Sequence, residues 1–160
     1  MTGQVGICPT DQEAANLLAE LDADPDFDLQ ALEEEAIASG KLILVGTGDE
    51  DPNGNHVEGA NTIVAITDRG EAAIVTIDTD YNGKFRGLDG NGKSVRRGTT
   101  AKERAVHELG GHSRDYIYGG RRGFRTAPEQ NSLDAENEYR QRRFDRENVD
   151  PEDRFIRTEH

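Results

Sequence analysis

The chain has no tryptophan, one methionine and one cysteine among 160 residues, and only 33% of it is hydrophobic. Cys8 cannot form an internal disulfide, which points to a reducing compartment or to a domain indifferent to one. No apolar run approaches the roughly 20 residues that a membrane helix needs, so no membrane partner is expected. The first residues lack a charged stretch followed by an apolar one, so no secretory signal is expected and the chain reads as a cytoplasmic product. Basic residues are scarce in the first half: residues 1–80 carry 18 acidic and 2 basic side chains, residues 81–160 carry 14 and 17. With a net charge of −13 the chain repels phosphate backbones, and no nucleic-acid partner is expected.

The length suits one domain with a modest core. Residues 1–40 read as an N-terminal helical segment. Thr10 and Glu13 form a capping-box pair ahead of Leu17, Leu18 and Leu21, and a second helix from Leu29 carries Leu32, Ala36 and Ile37 before Gly40 ends it. Apolar runs at 42–45, 62–66 and 73–77 predict strands, the last two joined by a turn at Asp68-Arg69-Gly70. Residues 46–61 form a glycine-rich acidic loop, 41–148 the core of the domain, and 149–160 a charged tail expected to fray.

The most informative run is His107-Glu108-Leu109-Gly110-Gly111-His112. Two histidines with a glutamate after the first suit a hydrolytic zinc site, where imidazoles hold the ion and the carboxylate takes a proton from its water. The usual spacing is i, i+4; here it is i, i+5. On a regular helix such residues diverge by roughly 140° and cannot share an ion. One widened π turn would absorb the extra residue, and two glycines in mid-helix are a local defect that such a turn would explain. The alternative is a helix that stops at Gly110, leaving the histidines unrelated. Thr100 and Glu103 form a capping box for this helix, Ala105, Val106, Leu109, Tyr116 and Ile117 give it an apolar face, and Gly119-Gly120 closes it.

A catalytic zinc site normally has three protein ligands and one open position. His56 and His160 sit in the acidic loop and at position 160, and the stronger candidate is Glu136. Leu133, Glu136, Asn137, Arg140 and Phe144 share one helical stripe bounded by apolar residues, and a carboxylate inside it must be paired or bound to a metal. An ordinary ion pair between Glu136 and Arg140 is the competing reading. Tyr116, Tyr139 or Arg140 would stabilise an oxyanion. A separate run, Asp78, Asp80 and Asn82 with Asp89 at the twelfth place, has the spacing of a Ca²⁺ loop, although Asn82-Gly83 reads better as a hairpin turn. The arginines at 121, 122, 125, 140, 142, 143 and 146 either attract an acidic peptide or pair with the acidic N-terminal half, the latter being preferred.

Residues 60–145, with His-Glu-Leu followed by Glu136-Asn137-Glu138-Tyr139-Arg140, resemble the zinc metallopeptidase domains of bacterial secreted effectors and of Rhs-type C-terminal toxin modules. The His-Glu-x-x-Gly-His spacing is similar to that of the dipeptidyl peptidase III family, which binds zinc with a downstream glutamate. The resemblance implies a small zincin-like α+β domain with zinc on His107, His112 and Glu136. It also implies a protein or peptide substrate, an immunity or inhibitor protein as a further partner, and an effector made in a bacterial cytoplasm and delivered into a target cell. A strand at 73–79 would add an extended substrate to the sheet. The competing class is an acidic, non-catalytic binding module of the inhibitor or immunity type.

Overall fold

A computed structural model describes residues 4–159. The expected helices α1 (Gln12–Asp22) and α2 (Leu29–Ala38) form as their leucine spacing predicts, but the first 40 residues are not all helical, because a strand at Gly6–Pro9 precedes them and joins the main sheet. The first cap differs by one residue from the expectation. The Asp11 carboxylate accepts from the Ala14 amide, while the Thr10 hydroxyl donates to the Val45 carbonyl and ties the helix start to the sheet. Gly40, at φ +66°, reverses the chain after α2, and the Lys41 amide closes on the Ala36 carbonyl.

Four strands form the main sheet: β1 (Gly6–Pro9), β2 (Leu42–Thr47), β3 (Ala60–Thr67) and β4 (Gly70–Ile77), in the spatial order β1-β2-β4-β3. β1, β2 and β4 are parallel, and β3 returns antiparallel to β4 through the expected turn at 68–69. The central strands are apolar on both faces. Ile43, Val45, Ala73, Val75 and Ile77 pack under α1, α2 and Leu109, while Leu42, Leu44, Ala72 and Ile74 form a second cluster with Cys8, Ile63 and Ala65. β4 is paired on both sides, so it offers no edge to a substrate. The edge near the candidate site is β3.

Beyond β4 the chain leaves the main sheet. β5 (Lys84–Leu88) and β6 (Ser94–Gly98) form a hairpin whose turn is at residues 89–93, not at Asn82-Gly83. The Asp89 carboxylate shapes that turn by accepting from the Asn91 and Lys93 amides, whereas Asp78 accepts from the Asp80 amide. Among the described residues, these acidic groups do not gather into a metal-holding cluster.

The motif helix begins as predicted. At α3 (Ala101–His107) Thr100 and Glu103 make both bonds of the capping box. A π turn follows over Glu108–Ser113, then α4 (Arg114–Thr126), which Gly120 breaks at φ +62°. α5 (Gln130–Glu147) packs against the π turn. The two glycines have a packing reason beyond backbone deformation. A Cβ on Gly110 would stand 3.2 Å from the Ala135 Cβ, and one on Gly111 would collide with Ser132, so α5 approaches at these two positions.

The tail does not fray. After a short 3₁₀ turn at Pro151–Asp153, Phe155 is buried and β7 (Ile156–Arg157) pairs with β5. The buried Phe155 ring supplies the apolar anchor that tail charge obscured.

Two changes test this account of the π turn. Gly111→Ala should destabilise by about 1–3 kcal/mol through overpacking on Ser132, and Gly110→Ala by less, as read from chemical denaturation. Deleting Gly110 lets the π turn close as regular helix with the phase beyond it unchanged, so the variant should keep the parent's circular dichroism and cooperative unfolding; loss of the cooperative transition would contradict the claim that the π turn absorbs one residue.

Candidate active site

The π turn brings the ligand atoms of His107, Glu108 and His112 within 4.8 Å of one another. The two imidazoles meet edge to face with centroids 5.6 Å apart, and His107 Nε2 lies 3.8 Å from Glu108 Oε2. They line a cavity of about 360 Å³ with Ala60, Asn61, Thr62, Phe85 and Arg157. His56, by contrast, is exposed on its loop, and His160 lies outside the described residues.

Glu108 is almost fully buried. Burial pushes its carboxyl pKa up, while His107, the Thr62 hydroxyl and Arg157 pull it back down. Thr62, on the edge strand β3, donates to Glu108 Oε1 at 2.8 Å and fixes the carboxylate against the cavity. A buried carboxylate held this way is poised to accept a proton.

Glu136 is fully buried, as its helical stripe predicts, but the structure puts it behind the histidine rather than beside the pair. Its Oε1 is 2.9 Å from His107 Nδ1 and 2.8 Å from Arg157 Nη1, and its Oε2 accepts from Arg140. Two guanidiniums and one imidazole thus occupy both oxygens. The ion-pair reading of the stripe is the one seen, Glu136 pairing with Arg140, and Glu136 stands outside the metal-holding group as the partner of the far nitrogen of His107, a carboxylate–histidine arrangement familiar from metal sites. Its neighbours Asp134 and Glu138 lie on the exposed side, bonded to Gln130 and Arg142.

The residues expected to stabilise an oxyanion lie elsewhere. Arg140 spends its three nitrogens on Glu103, Asn137 and Glu136, and its guanidinium lies 5.1 Å from the centroid of the Phe155 ring. The Tyr139 hydroxyl donates to Asp24 at 2.6 Å on the α1–α2 side, and the Tyr116 hydroxyl donates to Glu71. None of the three lines the cavity. The arginine cluster is divided. Arg146 and Arg121 reach Asp26 and Glu71 of the acidic half, at 2.7 and 3.8 Å, while Arg125 lines the cavity.

Sequence reasoning missed Arg157. Asn137 grips its backbone from both sides, donating to the Arg157 carbonyl at 2.9 Å and accepting from the Arg157 amide at 2.8 Å. The guanidinium lies 3.6 Å from the centroid of the Phe85 ring and donates to Glu136. Nothing in the tail's composition signals this, because the partners are far away in sequence. Glu129, on the link between α4 and α5, was missed as well; its Oε2 is 3.8 Å from His112 Nε2.

The neighbouring guanidiniums and His107 hold Glu136 at a pKa of about 2, despite a burial cost that acts in the opposite direction. A depressed folded-state pKa stabilises the fold above the ordinary carboxyl range, and that stability is lost as the pH falls through about 4.5 towards 2. Glu136→Gln should remove about 3 kcal/mol of acid-dependent stability from this window, measured by denaturation at a series of pH values. An unchanged acid limb in the variant would contradict the pairing. Comparison of the chain with protein-family models, with curated proteins and with solved structures found no match to any of them.

Proposed function

We propose that this chain is a zinc-dependent metallopeptidase of the effector or toxin kind, with Glu108 as its general base. The observation that carries the reading is the π turn, which cancels the extra residue between His107 and His112 and sets Glu108 beside them. The donor set fits the ion: two imidazoles, one oriented by the buried Glu136 carboxylate, have ligand atoms that lie with that of Glu108 within 4.8 Å of one another. When bound, zinc would polarise a carbonyl and acidify a water in its open position.

The chain's own residues account for the remaining chemistry. His107 and His112 hold the ion, and Glu136 acts through His107 by fixing its ring. Glu108 takes the proton from the attacking water and passes it to the departing amine, held in place by Thr62. Ala60, Asn61 and Thr62 bring the free edge of β3 to the cavity, so an extended peptide would add there as a further strand. Asn61 Oδ1 is buried without a partner among the described residues, an unmet acceptor in the same wall.

Protein purified without chelator and supplied with zinc should hold one ion per chain, measured by elemental analysis. Glu108→Gln should retain the ion and lower the appearance of new peptide termini in a cell lysate by about 10²–10⁴-fold. A chain that holds far less than one ion would favour the acidic binding module instead. Undiminished cleavage by the variant would remove Glu108 from its role.

A further inference from the structure

Arg104 and Arg157 are buried guanidiniums on the cavity wall whose donors are only partly used: Arg104 leaves its inner Nε without a partner among the described residues, whereas Arg157 leaves a terminal nitrogen. The Arg157 Nε donates to the Glu159 carbonyl at 2.6 Å and its Nη1 to Glu136 at 2.8 Å, while Nη2 makes no hydrogen bond to the described residues. Arg140 has no nitrogen left in this sense. The Arg157 side chain is only 7% exposed, yet it lines the cavity with His107, Glu108 and His112. Three independent contacts fix it: the backbone clamp from Asn137, the face of Phe85 and the ion pair to Glu136. A guanidinium immobilised on three sides, with donors left over at a cavity wall, is preorganised for an anionic oxygen.

We propose that Arg157 is a catalytic residue that binds the substrate's carbonyl oxygen through Nη2 as negative charge develops on it. This rests on the metallopeptidase reading above. As the water oxygen bonds to the carbonyl carbon, the π pair of the C=O bond moves onto the carbonyl oxygen and the water's proton passes to Glu108. The C–N bond then breaks, the oxygen's pair re-forms the C=O bond, and Glu108 returns the proton to the amine. Arg157 transfers no proton; it supplies hydrogen bonds that strengthen as the oxygen becomes anionic. The β5–β7 pairing and the buried Phe155 thereby become parts of the active site, since they seat the strand that carries this group.

Acetate, whose oxygens resemble the developing oxyanion, is the probe. Cobalt(II)-loaded protein is titrated with acetate and followed by its visible absorption, first for cobalt affinity and then for acetate. Arg157→Gln should leave cobalt affinity within a few fold and weaken acetate by about ten- to a hundredfold, and Arg157→Lys should recover part of that loss. Equal acetate affinity in the parent and Arg157→Gln overturns the proposal, as does a parent spectrum that acetate does not change. Loss of cobalt in both variants, with circular dichroism unchanged, also overturns it by making Arg157 a support for Glu136 and His107 alone. A parent chain that shows no cobalt absorption removes the metallopeptidase reading, and the role of Arg157 falls with it.

Discussion

Two imidazoles five residues apart share one side of a helix only if the helix gains a residue within a single turn. The π turn at Glu108–Ser113 provides this, and the rest of the site is arranged around it. Its position is fixed by α5, which presents Ser132 and Ala135 to the two glycines, so the deformation is supported by side-chain packing. α5 in turn carries Glu136 to the back of His107. One helix-on-helix contact therefore sets both the phase of the histidines and the orientation of the first ring.

Behind the histidines runs a buried chain of charge. The capping glutamate Glu103 accepts from the Thr100 amide with one oxygen and from Arg140 with the other; Arg140 binds Glu136, and Glu136 binds His107 and Arg157. Burying charges is costly, and each partner here is compensated by at least one opposite charge with hydrogen-bond geometry. Such a network is a poor way to gain stability and a good way to hold side chains in one arrangement, because each member fixes the next. It also links the start of the motif helix and the C-terminal strand, which the β6-β5-β7 sheet joins as well.

Much of this was legible in the sequence. The i, i+5 histidines and the glycine pair called for a π turn, the T-x-x-E capping box marked the helix start, and the Leu133-to-Phe144 stripe foretold a buried Glu136. Local patterns of this kind report on local structure. The role of Glu136 was not legible, because pairing with His107 and ligating a metal both demand a buried carboxylate and differ only in whether it faces the ring or the ion. Arg140 and Tyr139 were misplaced because their partners, Glu103 and Asp24, lie on other elements. β5, β6 and β7 have short, charged sequences that alternate around few apolar residues, and pairing alone reveals them. The tail read as frayed because Phe155 and Ile156 were a short apolar signal among charges.

Zinc K-edge absorption spectroscopy of the zinc-loaded chain tests the central claim most directly, since it reports what surrounds the ion without requiring a substrate. The account predicts two imidazoles in the coordination shell, with nitrogen and oxygen donors at about 2.0–2.1 Å and the outer-shell scattering of both rings. A shell of oxygen alone, or the scattering of a single ring, would contradict it.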